Sequence, residues 1–316
     1  MRKVPAEREA DMSEMVLVTG VEGLIGYAVA KRLLESGTDV VGMDQRIRDA
    51  ATLGMPTVQA DLGDVHALYA AFLEHRCTAV VHCGAVSGPM LARDAPELLF
   101  RTNVTGTLNA LEAARCARAR RFVFCSSLMV YGANDGSTLH EDSPLLPSDA
   151  YGASKVAAET IVNAYVAHHG LDAVSARLAW VYGPRRQTPC GLRMMLSDAL
   201  AGRPTGLASG LSAIRQYVHV DDVAAALVAL LQAPHLPRRI YNVSGGDFRP
   251  FVEVVDAVRQ LFPSADITVG DAQDPDDPPM GPLSIAAISE DIGWKPAIPL
   301  LDGLGSYAEW LRSRQP

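Results

Sequence analysis

The sequence predicts an α/β fold: a doubly wound parallel sheet followed by a smaller, irregular C-terminal lobe. Three observations predict it. Apolar, β-branched runs alternate with helix-patterned stretches through the first two thirds of the 316 residues. Those runs are apolar throughout rather than at every second position, as strands covered on both faces must be. After Gly183 the alternation fades, and glycine- and proline-rich stretches such as 201–210 and 271–282 interrupt it.

The first strand is predicted at 16–19, where an apolar run breaks at Gly20. A helix follows over 24–35, with Leu24, Ala28 and Leu33 at helical spacing and Gly37 as its stop. A second buried strand covers 40–43 and ends at Asp44. Further strands are predicted at 78–83, 121–126 and 173–181, with helices at 97–116 and 151–168 between them. Beyond Gly183, helices are expected at 192–200, 221–231 and 251–261, and a strand at 239–243. The resulting organisation is a flexible arm over 1–14, a doubly wound domain over 15–183 and a smaller, irregular lobe over 184–316. Segments about 211–243 return from that lobe to the first domain. The acidic, proline-containing stretch 271–277 reads as a loop.

Composition excludes several classes. The chain is 48% hydrophobic and 20% charged, which suits a globular chain rather than a disordered one. Its formal net charge is -8. Its basic run, Arg115, Arg118, Arg120 and Arg121, falls where a helix ends and the helix dipole favours cations. So short a run cannot supply the electrostatic attraction that nucleic acid demands, and no nucleic-acid partner is expected. The cysteines Cys77, Cys83, Cys116, Cys125 and Cys190 contain no CxxC pair and no zinc spacing, so no metal is expected. Several lie in apolar strand-like runs, as buried thiols of a reducing, cytoplasmic setting do. The charged N-terminus lacks the apolar stretch of a secretory signal, and no apolar run is long enough to cross a bilayer. No membrane partner is expected.

The first strand leads into Thr19-Gly20-Val21-Glu22-Gly23-Leu24-Ile25-Gly26. Gly20 permits a tight turn, Gly23 lets the backbone approach a pyrophosphate, and Gly26 lets the helix pack close to the sheet, the arrangement of a Rossmann-type domain. The opening helix, from Leu24 and Ile25 onward, turns free N–H groups and a positive dipole end toward phosphate. Glu22 is out of place there, since a carboxylate beside phosphates must point outward. Asp44, at the end of the second strand, is placed to accept hydrogen bonds from adenosine ribose hydroxyls. It would repel a ribose phosphate, which favours NAD over NADP. Arg46 and Arg48 work against that preference. Asp61 and Leu62, after the third strand, are candidates for the adenine edge, with a role near a helix N-terminus as the alternative for Asp61.

Tyr151-Gly-Ala-Ser-Lys155 places a phenol and an ammonium four residues apart on one helix face. The ammonium favours the phenolate, the form that accepts a proton. Upstream, an apolar strand ends in Ser126-Ser127, at the sheet edge where ligands bind in doubly wound folds. A hydroxyl from Ser127 can orient a substrate hydroxyl beside the phenol.

These stretches resemble the extended short-chain dehydrogenase/reductase superfamily, and within it the NAD-dependent epimerase/dehydratase family. The resemblance runs from Val16 to about Trp310. It passes through TGVEGLIG at 19–26, Asp44, DL at 61–62, HCGAVSG at 82–88, NVTGT at 103–107 and SSLMVYG at 126–132. It continues through YGASK at 151–155, RLAWVYGPR at 177–185, YVHVDD at 217–222 and IGWKP at 292–296. The resemblance implies that Tyr151 is the proton acceptor, that Lys155 binds the nicotinamide ribose, and that Ser127 is the catalytic serine. It implies that Cys83, Gly84 and Ala85 line the cofactor, that Asn103 supports the active-site helix, and that Val181 approaches the nicotinamide. It also implies a homodimer through a four-helix bundle built from 97–116 and 151–168.

The reaction divides into alternatives. Dehydratases of the family carry acids in the two positions after the catalytic serine or threonine. Here Leu128 and Met129 stand there, and neither transfers a proton. A nucleotide-sugar epimerase returns the hydride to its substrate, whereas a dehydrogenase releases NADH. Trp180 stands where nucleotide-sugar enzymes of the family often carry Asn, and Met280 near where they often carry Arg. A diphosphate needs charge-assisted partners, and Arg185, Arg186 and Arg215 are the candidates to supply them. The loop 82–87 is similar to that of uronate dehydrogenases, in which the serine matching Ser87 touches substrate. Arg185 would then grip a carboxylate. His219 reads as structural, with Asp221 as a helix N-cap. These residues favour an NAD-dependent dehydrogenase of a sugar or sugar acid. A nucleotide-sugar epimerase remains as the alternative, and a non-catalytic cofactor-binding regulator as a third.

Overall fold

Seven parallel strands form the central sheet. They are β1 (Met15–Thr19), β2 (Asp39–Asp44), β3 (Thr57–Gln59), β4 (Ala79–His82), β5 (Arg121–Ser127), β6 (Ala173–Leu178) and a closing strand, Ile240–Val243. The helices are α1 (Leu24–Glu35), α2 (Val65–His75), α3 (Pro96–Phe100), α4 (Gly106–Cys116), α5 (Ala150–His169), α6 (Gly191–Ala201) and α7 (Val220–Gln232). Phe251–Leu261, Ala286–Ile292 and Leu300–Arg312 follow. This computed structural model describes residues 14–91, 93–211, 213–272 and 278–314. Almost all of the arm expected at 1–14, and most of the acidic loop at 271–277, lie outside the described residues.

Spatially the strands run β3-β2-β1-β4-β5-β6 and then the closing strand. The winding reverses between β1 and β4, and a crevice opens at their carboxyl ends. Successive strand side chains point to opposite faces. Val16 and Val18 of β1 therefore join Val123 and Val174 in one core with Leu33 of α1 and Leu227 of α7. Leu17 joins Val41, Val80 and Phe122 in the other, with Leu68 of α2, Leu111 of α4 and Val162 of α5. A third core belongs to the lobe, where Leu192 and Leu196 of α6 meet Phe251, Val255, Leu304 and Tyr307.

Three local features differ from the sequence expectation. The helix expected at 97–116 is α3, a wide π-type turn at Arg101–Thr105, and α4. Within that turn the Asn103 side chain reaches the loop after β4 and satisfies both backbone polar groups of Val86. The strand expected at 173–181 breaks at Ala179. Its N–H still bonds Val243, but the Trp180 N–H bonds Gln216, so the chain leaves the sheet and pairs Trp180–Tyr182 with Tyr217–His219. At the start of α7 the N-cap is His219 rather than Asp221, because the His219 Nδ1 accepts from the Asp221 N–H at 3.3 Å. The return to the first domain accordingly begins near Tyr217. Ile214–Arg215 stays with the lobe, paired to Arg249–Pro250.

Candidate active site

The crevice at the carboxyl ends of β1, β2, β4 and β5 is a cleft of about 570 Å3. Gly20 has φ +68°, and a Cβ there would stand 2.7 Å from Gly84 Cα. A Cβ on Gly26 would stand 2.2 Å from the Gly20 carbonyl, so only glycine lets α1 approach its own turn. No side chain caps α1 at Gly23, and Gly23, Leu24 and Ile25 line the cleft.

The oddity of Glu22 is resolved by where its carboxylate goes. It turns away from the turn and accepts the N–H groups of Arg48, Asp49 and Ala50 at 2.6, 3.2 and 2.8 Å. Asp44 Oδ2 accepts the Glu22 N–H at 3.0 Å. Burial pushes the Asp44 carboxyl up, against backbone hydrogen bonds that pull it down.

Behind the glycine turn runs a buried relay. The His82 imidazole is depressed to about 3 by burial, with a smaller push from the Lys155 charge, so the ring is neutral. Its Nδ1 lies 2.7 Å from Thr19 Oγ1, which accepts the Gly84 N–H at 3.1 Å. Its Nε2 lies 3.2 Å from Thr107 Oγ1, which donates to the Asn103 carbonyl at 2.6 Å. Only one assignment satisfies every group: Thr19 donates to Nδ1, and Nε2–H donates to Thr107. Asn103 continues the path. Its Nδ2 donates to Ser154 Oγ at 3.0 Å, and Ser154 donates to the Tyr151 carbonyl at 2.7 Å.

Ser127, Tyr151 and Lys155 all line this cleft and are buried. Ser127 Oγ accepts the Met129 N–H at 3.2 Å and caps the short turn Leu128–Val130. Lys155 Nζ donates to the Cys125 carbonyl at 2.8 Å and lies 4.9 Å from the Phe124 ring centre and 5.8 Å from that of Tyr151. The end of β5 is braced from behind. Ser126 donates to Glu159, which lies one turn beyond Lys155, and Glu159 is paired with the buried Arg177 at 2.7 Å.

Of the other residues singled out from sequence, Asp44, Leu62, Cys83, Gly84, Ala85, Ser87, Leu128, Met129, Trp180, Val181, Arg185 and Arg186 line the same cleft. Three do not. Asp61 is exposed, and its carboxylate accepts the Gly63 N–H at 2.7 Å and the Gln45 amide at 2.6 Å. Asn103 acts from behind the wall. Arg215 lines a smaller side cavity beyond Trp180, with its guanidinium 5.5 Å from the Trp180 ring and 5.1 Å from that of Phe251. Arg185 is in the cleft, but its charge is engaged by Asp49 at 2.9 Å and Glu22 at 3.5 Å, and it stacks 3.8 Å over Tyr27. That geometry replaces the expected grip on a substrate carboxylate. Arg186 Nη1 donates to the Val181 carbonyl at 2.6 Å, and its buried Nε has no hydrogen-bond partner. Sequence reading missed Met90, Thr102 and Gln45 as lining residues. Met90 lies two residues past the HCGAVSG stretch, which was the signal available for it.

The glycine turn and the Ser127, Tyr151 and Lys155 side chains thus line one cleft at the switch point of a doubly wound sheet, the architecture of a dinucleotide-binding enzyme. The chain belongs to the NAD dependent epimerase/dehydratase family, whose profile matches residues 16–244. It is 32% identical to the UDP-glucose 4-epimerase of Mycolicibacterium smegmatis, over 94% of this chain and 98% of that protein. It is also 32% identical to the UDP-glucose 4-epimerase of Azospirillum brasilense, over 95% of this chain and 93% of that protein. Among solved structures, the Thermus thermophilus UDP-glucose 4-epimerase in complex with NAD superposes with a TM-score of 0.86 at 31% identity. That match covers 95% of this chain and 100% of the other.

The residues present fit NAD. The helix start at Gly23 is uncapped by any side chain, a Cβ at Gly23 would meet only the Gly20 carbonyl at 3.1 Å, and a carboxylate rather than a cation ends β2. Gly20, Gly23, Leu24 and Ile25 would hold the pyrophosphate and Asp44 the adenosine ribose.

Proposed function

We propose that this enzyme oxidises a secondary alcohol of a free sugar or sugar acid, with net release of NADH. Tyr151 takes the hydroxyl proton, Ser127 orients that hydroxyl, and Lys155 fixes the nicotinamide-side ribose. Bound NAD supplies the hydride acceptor. Leu128 and Met129, buried just past Ser127, offer no acid for elimination of water.

The observation that carries the substrate choice is the side cavity. It measures about 100 Å3 and shares Met90, Trp180, Val181 and Arg186 with the main cleft. In this reading a nucleoside diphosphate on the sugar would run past Trp180 into that space. Pockets for small ligands start at about 300 Å3. Arg186, at the junction, supplies the positive charge for a carboxylate.

The UDP-glucose 4-epimerase relatives favour a second reading, a nucleotide-sugar epimerase that keeps its cofactor and returns the hydride. One assay separates the two. The protein is incubated with NAD and a panel of free aldoses, uronates, and UDP-, dTDP- and GDP-sugars. NADH formed from a free sugar supports the proposal. Interconversion of a nucleotide sugar without net NADH overturns it in favour of the epimerase. NAD binding without turnover on any panel member points to a regulator.

The same reading includes a cytoplasmic homodimer through a four-helix bundle of α4 and α5 from two copies. Leu108 of α4, and Leu98 and Phe100 of the adjoining α3, are exposed apolar side chains that such a bundle would cover. Sedimentation of the wild type against Leu108→Glu tests it, with a monomeric wild type as the outcome that rejects it.

A further inference from the structure

Two cysteines in the cleft have no part in the proton and hydride transfers. Cys125 lies on β5. Cys83 follows β4, one residue past His82, whose partner in the ladder is Phe124. The two side chains therefore leave neighbouring strands on the same face. The Cys125 thiol donates to Cys83 Sγ at 3.4 Å. Both residues line the cofactor cleft, beside Gly84, Ser127 and Lys155. The other cysteines are placed differently. Cys77 bonds the Ala71 carbonyl, Cys116 is exposed and bonds Glu112, and Cys190 lines the side cavity.

We propose that Cys83 and Cys125 together form a dithiol site for a trivalent metalloid, an arsenical or antimonial, on the floor of the cofactor cleft. A direct disulfide would have to close the gap to about 2.05 Å between two strands already locked in one ladder. A single bridging atom that bonds both sulfurs spans the gap as it stands. Soft thiolate ligands select soft elements of this kind. The chemistry balances without an oxidant. An organoarsenic(III) oxide condenses with the two thiols: both S–H bonds and the As=O bond break, two As–S bonds form, and one water leaves carrying both thiol protons. Because the two sulfurs face the cofactor's cleft, metalloid and dinucleotide exclude one another.

Cys83 rests as the thiol. The bond from Cys125 and burial push the Cys83 thiol well up. Alkylating agents that require a thiolate attack such a site slowly, whereas condensation consumes the S–H groups directly. The exposed Cys116 is the residue that an alkylating agent reaches first.

The test uses phenylarsine oxide on the full-length protein after iodoacetamide has blocked Cys116. One arsenic per chain is expected by intact mass, mapped to the peptides holding Cys83 and Cys125. A dithiol such as dimercaptopropanol should release it, and a matching excess of a monothiol should not. Adduct formation should be about tenfold slower with NAD at about ten times its Kd, by mass action. Cys83→Ser and Cys125→Ser should each abolish the dithiol-specific adduct. Cys83 is less buried than Cys125, which makes its variant the safer fold, and circular dichroism with thermal unfolding checks that it is intact. An adduct that persists in Cys83→Ser, maps elsewhere, is stripped equally by monothiols, forms at the same rate with NAD, or never forms overturns the proposal. None of these readouts depends on which sugar is oxidised.

Discussion

The two ends of the cleft are built from different material. At the cofactor end, recognition is carried by backbone: the Gly20–Gly26 turn, an uncapped helix start, and amides pinned by the buried chain Thr19-His82-Thr107-Asn103. At the end proposed for the substrate, the walls are side chains, among them Trp180, Arg186, Arg215 and Phe251. Backbone placed by a sheet is costly to alter, because every strand neighbour feels the change. A stacked tryptophan and arginine can be exchanged with little effect on the fold. In the proposed reading, cofactor choice is thus tied to topology, and substrate choice rests on a few replaceable residues.

Tyr151 is where the two ends must meet, and its removal should have the largest effect. Tyr151→Phe is expected to cut single-turnover NADH formation by about 10²–10⁴-fold while NAD still binds. Undiminished turnover would mean that another group takes the proton. Next comes the turn itself. Gly26→Ala forces a Cβ toward the Gly20 carbonyl, and overpacking of this kind costs about 1–3 kcal/mol. Thermal unfolding and NAD titration should fall together; a loss of stability with unchanged NAD affinity would separate the turn from the cofactor.

The relay sets a pH dependence. Burial holds His82 near 3, whereas an unfolded histidine titrates near 6.5. As pH drops below about 6.5 the unfolded chain takes up a proton that the folded ring refuses, so this contribution to stability declines from there down to about 3. His82→Asn should be less stable at neutral pH yet show a shallower acid limb in urea unfolding. Parallel limbs would remove His82 from the cofactor scaffold. The smallest effect on the fold is expected at the substrate end. Trp180→Ala should leave the melting temperature and NAD affinity near wild type, raise KM for the free sugar severalfold, and let a UDP-sugar compete. A melting temperature that drops as far as in Gly26→Ala would erase the contrast between the ends.

The contrast also explains what could be read from the amino acids alone. The glycine turn, Asp44 and the Tyr151–Lys155 pair are local patterns, set by strand and helix periods within a few residues, and they were legible. The doubly wound parallel sheet followed from continuous apolar strands. What depended on distant partners was not. Nothing near Glu22 in sequence says that it caps residues 48–50. Nothing near Arg185 says that Asp49 will claim its charge, or that Asn103 will open its helix into a wide turn to hold Val86. The break at Ala179 arises from a partner, Gln216, that lies far along the chain.

Arg185 has a consequence of its own. It is a non-glycine residue at φ +74°, a conformation that persists only where its surroundings enforce it. The enforcing partners are Glu22 of the glycine turn, Tyr27 of α1 and Asp49 after β2, and Arg314, just past the C-terminal helix, pairs with the same Asp49. Ion pairs thereby tie residues 185 and 314 to the segment after β2, at the edge of the cleft. In the proposed net dehydrogenase, turnover should quicken with added salt when cofactor departure past these ion pairs is the slow step.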